Sequence, residues 1–262
     1  MSLRVLTCLL VLGLAPSLQA DDDAPPRDVV APPPADEFII IPLRVHLLQA
    51  DEVSDLHSVL TDEDVHRVLD KVNRIWNLAG VHWGLESIVR EAAEDLDAFR
   101  ESREASPDGR APLNVFRRIR PRKTREFEGL HVYYIHKFSV NGVYLGSDFA
   151  FVQDTAKLRE VEGGIDEPIP RVTAHELGHA LGLSHRQDRT NLLASGTTGT
   201  KLNTREVETA REKALKIKGS AKFADVQKAA QTEGPEVAKK LRAWLDQVPK
   251  QAAPVAPEVK DQ

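Results

Sequence analysis

The sequence predicts a mixed α/β fold of the α+β class. Two observations carry this prediction. β-Rich and amphipathic helical segments alternate in the first half of the chain, and two more β-rich segments precede an alanine-rich helix. The chain has 262 residues, of which 41% are hydrophobic and 29% are charged. This length and composition are typical of one medium-sized globular domain with appended segments.

The first 20 residues have the features of a secretory signal peptide. Arg4 stands in a short basic region, residues 5–14 form an apolar run, and Ala20 is a small residue at the expected cleavage position. The run is too short to span a bilayer. We therefore expect export, extracellular or periplasmic, with cleavage near Ala20. Cys8 and Met1, the only cysteine and methionine, leave with this segment, so the mature chain is expected to lack disulfides.

A proline-rich, acidic stretch separates the signal peptide from the folded domain. Residues 21–37 predict an extended linker, and the domain is expected to cover residues 38–218. Its first strand is FIIIPLRVHLL, in which Pro42 indicates an edge or an irregularity. The next segment predicts a helix, because Thr61 is a good N-cap, apolar residues follow the helical period, and Gly80 ends it.

The rest of the domain predicts three strands and three helices. VHWGLESIV is expected to be a second strand, and the charged residues 90–128 are expected to form a short helix and loops. Residues 130–138 and 142–152 predict two further strands, which precede the alanine-rich helix. A Gly/Thr loop then leads into a helix over residues 204–218.

Residues 219–262 are expected to form a helical and then disordered tail. Its segment PEVAKKLRAWLDQV is amphipathic, and we expect it to pack on its own domain, with docking on a partner as the alternative. The apolar residues of that segment are Val237, Leu241, Trp244 and Leu245.

The charge of the chain gives no sign of a polyanionic partner. The net charge is −5 and no basic stripe stands out, so we do not expect nucleic-acid binding. Beyond the N-terminal segment, no stretch is long and apolar enough to predict a membrane span.

The segment TAHELGHALGLSH carries the pattern that points most directly to chemistry. His175 and His179 are four residues apart, so a helix places both on one face, where two imidazoles suit a zinc ion. Gly182 stands where a left-handed residue ends a helix, which lets His185 turn back toward the same metal. Glu176 is rotated away from the ligand pair and is placed to hold a metal-bound water. The alternative is an alanine-rich core helix that happens to carry histidines.

The residues from His175 to His185 resemble the zinc signature of the metzincin metalloendopeptidases, and HELGHALGL resembles the matrixin branch. The resemblance implies a metzincin-like zincin fold over residues 38–218, with an N-terminal twisted sheet, two helices and a small C-terminal subdomain. It implies a secreted zinc endopeptidase in which His175, His179 and His185 bind one catalytic Zn²⁺ and Glu176 is the general base. The substrate is then a protein or peptide.

The resemblance also places the substrate. Residues 142–152 correspond to the family's edge strand, which pairs with an extended peptide. We expect the loop SGTTGT to form a wall of the pocket on the leaving-group side, with a plain surface loop as the alternative.

Two residues depart from the family pattern. Leu193 stands where the family has a methionine beneath the zinc, and because leucine has a similar volume, zinc binding should survive the change. Arg186 follows the third histidine, where matrixins carry a small hydroxyl residue and astacins a glutamate, so the branch stays open.

Two other functions remain open from the sequence. One is a catalytically weak, zinc-stabilised binding module of the same fold, which Leu193 and Arg186 favour. Glu176 opposes it, because a purely structural zinc site does not need that carboxylate. The other is a zinc hydrolase that acts on a substrate other than protein.

Calcium is a second candidate cofactor. Asp154, Glu162, Asp166 and Glu167 lie around a glycine-bearing loop, and such loops bind calcium through oxygen ligands. A solvated acidic loop is the alternative. The remaining histidines are expected to be structural or surface residues; they are His46, His57, His66, His82, His131 and His136.

Overall fold

A computed structural model describes residues 32–105 and 114–249. The predicted signal peptide and most of the predicted linker lie outside the described residues. The strands are β1 (Ile39–Gln49), β2 (Val81–Ala92), β3 (Leu130–Ile135), β4 (Gly142–Tyr144), β5 (Phe149–Gln153) and β6 (Ala221–Lys222). The helices are α1 (Asp62–Asn77), α2 (Leu96–Glu104), α3 (Val115–Ile119), α4 (Pro168–Ala180), α5 (Thr204–Ala214), α6 (Phe223–Thr232) and α7 (Pro235–Gln247).

In the described part of the chain, the six strands form one sheet with the order β2-β1-β3-β5-β4, and β6 pairs with the start of β1. The pairs β1/β2, β1/β3 and β3/β5 are parallel, whereas β4/β5 and β1/β6 are antiparallel. A mostly parallel sheet with covering helices confirms the predicted mixed α/β fold.

Helices cover both faces of the sheet, which explains why β1 is apolar almost throughout. Val45 and Leu47 point to the face that carries α1 and α4 and share one core with them. Leu48 points to the opposite face, where it packs with apolar residues of α2 and α3. Ile40 lies on that opposite face near the start of β1, in a small cluster with residues of α6 and α7. His175 and His179 therefore lie on a helix, α4, that packs against the sheet.

The predicted N-terminus of α1 is confirmed. The Thr61 hydroxyl accepts a hydrogen bond from Asp64 N at 3.1 Å, and the Asp64 carboxylate accepts one from Thr61 N at 3.0 Å. This reciprocal capping box satisfies two backbone donors that the helix leaves free. Gly80 follows the helix with φ +65°, a conformation that favours glycine.

Pro42 lies inside the sheet and not at an edge. β1 is flanked by β2 and β3, but its pairing with β3 begins only at Leu43 and its pairing with β6 ends at Ile40. The missing N–H of Pro42 therefore falls in a gap between two partners. The predicted irregularity is present, because the register with β2 shifts between Leu43 and Arg44.

Two segments differ from the prediction. Residues 142–152 form an antiparallel hairpin of β4 and β5 and not one strand, with Gly146 in the turn at φ +72°. Only β4 lies at the end of the sheet. In the described part of the charged region 90–128, β2 continues to Ala92, and two helices, α2 and α3, follow in place of one short helix.

Helices α6 and α7 return to the sheet. Trp244 is buried in the cluster with Ile40, and its Nε1 donates to Leu85 O at 2.8 Å. Gly84 leaves the space that this ring fills, because a Cβ there would lie 2.5 Å from Trp244. Val237 does not join this contact and is 46% exposed. Among the helices of residues 32–105 and 114–249, none combines the length and the apolar character that crossing a membrane requires.

Candidate metal centre

Helix α4 carries the first two histidines of the motif and is buried on most sides. Trp76 of α1 donates from Nε1 to Ala174 O at 3.2 Å. The hydroxyls of Tyr134 in β3 and Thr173 in α4 lie 2.8 Å apart and share a hydrogen bond. These contacts with α1 and the sheet fix α4 in place and therefore fix the side chains that it carries.

The end of α4 explains how the third histidine reaches the first two. Leu183 N donates to Gly178 O and Gly182 N donates to His179 O, each at 3.0 Å, which is a Schellman motif. Gly182 is left-handed, with φ +81°. The chain therefore reverses at the position predicted from the sequence, and His185 comes back beside the helix.

The three imidazoles meet at their Nε2 atoms. His179 Nε2 lies 3.1 Å from His175 Nε2 and 3.1 Å from His185 Nε2. In the part of the chain that the structure describes, this is the only group of three or more histidine, cysteine or acidic side chains close enough to share a metal ion. The structure thus brings together all three histidines of the motif.

The other ring nitrogens determine which atoms are free. His175 Nδ1 lies 2.8 Å from Leu192 O, and His179 Nδ1 lies 2.8 Å from Leu183 O. A carbonyl only accepts, so both Nδ1 atoms carry the proton and both Nε2 atoms keep a lone pair. Burial lowers the pKa of His175 to about 3 and also lowers the pKa of His179, so both rings are neutral at pH 7.

These residues fit a zinc ion. Neutral lone pairs that face one another at 3.1 Å repel unless a cation lies between them. With Zn–N bonds of about 2.0 Å, two ligands of a tetrahedral site are about 3.3 Å apart, close to the separations observed. Three histidine nitrogens leave a fourth position open, as in catalytic zinc sites.

Glu176 lies beside the triad in a protected position. It is 5% exposed, and burial raises the pKa of its carboxyl to about 8, although the backbone N–H of Tyr144 donates to it and lowers that pKa. Gly142 in β4 makes room for the side chain, because a Cβ at Gly142 would lie 2.8 Å from Glu176 Oε1. The edge strand and the carboxylate are therefore in direct contact.

Three residues around the site were missed in the sequence. Gly142 and Tyr144 contact Glu176 only because β4 folds back onto α4, and no local pattern predicts that approach. Arg171 gave a usable signal, because an arginine stands one turn before His175 on the helix face that carries His175 and His179. It is 2% exposed and its guanidinium reaches the loop beneath the triad.

The two departures from the family pattern are both accommodated. Leu193 is fully buried beneath α4, and its nearest carbon lies 3.4 Å from the position that a Cβ of Gly178 would occupy. Arg186 turns away to α5, where its Nε donates to Glu206 Oε1 at 2.6 Å. The buried Glu206 also accepts from Asn191 Nδ2 at 2.9 Å, so it ties the motif's exit to the loop that follows.

The loop SGTTGT is tightly held. Thr197 and Thr198 are buried, Thr198 Oγ1 accepts from Val161 N at 3.0 Å, and Thr197 Oγ1 donates to Arg189 O at 2.8 Å. Such a loop is rigid enough to shape a pocket, and its role as a pocket wall stays a prediction.

The four candidate calcium ligands do not form a cluster of three or more among the described residues. Asp154 accepts from Ser58 Oγ and Val59 N and pairs with His136. Asp166 and Glu167 both pair with Lys71 on α1. These carboxylates fasten loops to the domain, and Glu162 is exposed.

The other histidines lie apart from the triad, as expected. His46, His82 and His131 are fully buried in the sheet. His57 pairs with the exposed Asp51, and the partly exposed His136 pairs with the buried carboxylate of Asp154.

Helix α4 packs on the sheet and carries two of the histidines, and the third returns beside its end, so the three form a site that fits one zinc ion. Residues 98–218, just under half of the chain, match the family model described as matrixin. This segment contains the complete triad. This match and the triad geometry together fit a metzincin-like zinc metallopeptidase. No match was found among curated proteins.

Solved structures give weaker likenesses. Archaemetzincin from Methanopyrus kandleri is 16% identical, with 67% of this chain and 96% of that chain covered and a TM-score of 0.44. A zinc-dependent peptidase from Methanocorpusculum labreanum is 13% identical, with 66% and 99% covered and a TM-score of 0.30. A chaperone–substrate complex is 13% identical, with 69% and 35% covered and a TM-score of 0.40. Since each TM-score is below 0.5, the assignment rests on the family match and the triad.

Proposed function

We propose that the protein is an exported zinc-dependent endopeptidase that hydrolyses peptide bonds with Glu176 as the general base. One observation carries the proposal. Three histidine Nε2 atoms converge beside the helix that carries the buried Glu176, whose side chain contacts the edge strand of the sheet. A structural zinc site needs a fourth protein ligand, whereas this arrangement leaves one position open and places a base next to it.

The residues of the chain divide the chemistry between them. When bound, zinc supplies a Lewis acid that activates a water and polarises the scissile carbonyl. His175 and His179 hold it as neutral imidazoles, because the Leu192 and Leu183 carbonyls keep their protons on Nδ1. Glu176 would accept the proton of the attacking water and then transfer it to the leaving amine, because a bound cation lowers the pKa of its carboxyl again from about 8.

The position of β4 supports binding of an extended peptide. In the described sheet β4 is the end strand, so one of its sides offers backbone groups to a further strand. Because Tyr144 N already donates to Glu176, a peptide bound along β4 lies close to the base. The substrate in this proposal is an unfolded or extended segment of protein.

Export is the second part of the proposal. It is supported by the basic residue, the short apolar run and Ala20 within the first 20 residues. The mature chain then begins at Asp21 and contains neither cysteine nor methionine.

The test is cleavage of an unfolded protein, such as casein, by the purified exported protein. The wild type is expected to cleave it and to lose activity with a zinc chelator. Glu176→Ala should lower kcat by about 10²–10⁴-fold, because a general base contributes about that much. Glu208→Ala, at an exposed glutamate of α5, is the matched control and should cleave normally.

Mass spectrometry reads the cleavage sites and the mature N-terminus in the same experiment. A folded, zinc-loaded wild type that cleaves no peptide bond would refute the endopeptidase and favour the zinc-stabilised binding module. An exported protein that still carries residues 1–20 would refute processing at Ala20.

A further inference from the structure

Arg171 is a buried arginine in the middle of the active-site helix. It is 2% exposed, and no carboxylate of residues 32–105 or 114–249 forms an ion pair with it. Burial lowers its pKa to about 10, so it remains charged at pH 7. Glu176 attracts this charge without forming an ion pair with it, and such a buried charge is costly unless polar groups surround it. Its contacts therefore indicate what it does.

Those contacts are backbone carbonyls of one loop. Nε donates to Gly199 O at 3.1 Å, and Nη2 donates to Asn191 O at 3.4 Å and to Ala194 O. The planar guanidinium, which has five donors, thus connects points of the loop that are up to eight residues apart. The loop is held against α4 from inside the protein.

The same loop sets the geometry of the first metal ligand. Leu192, which accepts the Nδ1 proton of His175, follows the Asn191 carbonyl that Arg171 binds. Arg171 Nη1 also lies 3.1 Å from His175 Nδ1. Both nitrogens are donors when Nε2 is free, so this is a packing contact along the edge of the ring and not a hydrogen bond.

We propose that Arg171 is a positioning residue of the metal centre, which acts through His175 by fixing the Leu192 carbonyl and the edge of the ring. This role of Arg171 deepens the proposed function. It depends on that proposal in one respect, which is that the bound metal is zinc. Partners that orient a ligand histidine typically change metal affinity by about 10–100-fold when they are removed. The contacts of Arg171 described above are to the loop and to His175, and none is to the edge strand β4. It is therefore not a catalytic residue.

The test measures zinc binding to the purified protein without substrate, by competition with a chromophoric chelator. Arg171→Met approximately keeps the length of the side chain and removes its donors. It should raise the zinc Kd by about 10–100-fold. Arg171→Lys keeps the charge but cannot bind the loop at several points. Its zinc Kd should therefore lie between that of the wild type and that of Arg171→Met. Cobalt substitution gives a second readout, because a tilted His175 ring changes the visible absorption of Co²⁺.

Arg211→Met is the matched control. Arg211 of α5 also donates to three backbone carbonyls, those of Glu37, Ala79 and Gly80, and none belongs to the loop beneath the triad. This variant should lower the melting temperature and leave the zinc Kd and the cobalt spectrum unchanged.

Two results would overturn the inference: a wild-type zinc Kd and cobalt spectrum in Arg171→Met, or an equal loss of zinc affinity in Arg211→Met. If Arg171→Met does not fold, Arg171→Lys decides by the same two measurements. Absence of casein cleavage by the wild type would refute the endopeptidase alone, because zinc is measured here without substrate.

Discussion

Groups of histidines lie on both sides of the sheet, but in the described part of the chain only one group is arranged to hold a metal ion. On the α4 side, Nδ1 of His175 and of His179 donates to a backbone carbonyl, which leaves the Nε2 atoms free. On the opposite face, His46 Nε2 lies 2.8 Å from His131 Nδ1, and His46 Nδ1 lies 2.5 Å from Glu91 Oε1. Histidine nitrogens lie within about 3 Å of one another in both groups, yet only the group on the α4 side is arranged to bind a metal ion.

The difference lies in the partner of the second nitrogen. In His46 both nitrogens are used, one by Glu91 and one by His131, and the ring is stacked on Tyr133 with centroids 4.1 Å apart. No pair of lone pairs points at a common position. Backbone carbonyls, in contrast, hold only the Nδ1 side of the triad. The comparison teaches that closeness alone does not make histidines a metal site. The hydrogen-bond partner of the other ring nitrogen decides whether one nitrogen of each ring stays free for the metal.

Removal of one ligand should give the largest effect. His179→Ala is expected to weaken zinc binding by more than about 100-fold, because losing a ligand costs more than losing a residue that orients one. His46→Phe should bind one zinc per chain with the wild-type Kd. Elemental analysis after dialysis, together with chelator competition, measures both. Loss of zinc from His46→Phe would show that the second group also holds metal and would break the comparison.

The histidine pair on the opposite face should instead make stability depend on pH. Burial lowers the pKa of His131 to about 3, with His46 as a further cause, and burial also lowers the pKa of His46. An unfolded histidine has a pKa of about 6.5, so below that pH the unfolded chain binds protons that the folded chain does not. The free energy of unfolding therefore falls as the pH drops, by up to about 1.4 kcal/mol per pH unit for each ring.

Urea unfolding at pH 7 and at pH 5 measures this fall, and His131→Leu is the control. The triad loses zinc over the same pH range in both proteins, so the difference between their slopes belongs to the pair. His131→Leu should be less stable at pH 7 by about 1–3 kcal/mol, because His46 loses a buried partner, and its slope should be shallower. Equal slopes in the two proteins would mean that His131 binds a proton in the folded chain over the same pH range as in the unfolded chain, which would contradict the prediction.

The site was readable from the sequence where its geometry is local. Helical spacing placed His175 and His179 on one face, and Gly182 indicated the turn that returns His185. Contacts between distant segments could not be read. The loop that orients His175 begins 16 residues after it, and β4 reaches Glu176 from the far side of a hairpin. These approaches depend on tertiary packing, which a motif does not encode.

In the fold, too, local features were predictable from the sequence and contacts between distant segments were not. The capping residues and apolar period of α1 predicted it nearly to the residue, because capping is local physical chemistry. The pattern of residues 142–152 predicts one strand and not the hairpin of β4 and β5, because the turn after Tyr144 begins with the β-compatible Leu145 and contains only one glycine. Pro42 indicated an irregularity but not its place in the sheet, since that depends on where β3 and β6 begin and end.

The smallest effect is expected beneath the triad, at Leu193. Leucine and methionine have similar volumes, and Leu193 packs under Gly178 without a polar contact from its side chain. Leu193→Met should therefore change the free energy of unfolding by less than about 1.5 kcal/mol and leave the zinc Kd within about threefold of wild type. Chemical denaturation and chelator competition measure the two quantities. A tenfold gain in zinc affinity would show that the residue under the metal centre tunes the ligands directly, and that backbone carbonyls alone do not set the difference between the two histidine groups.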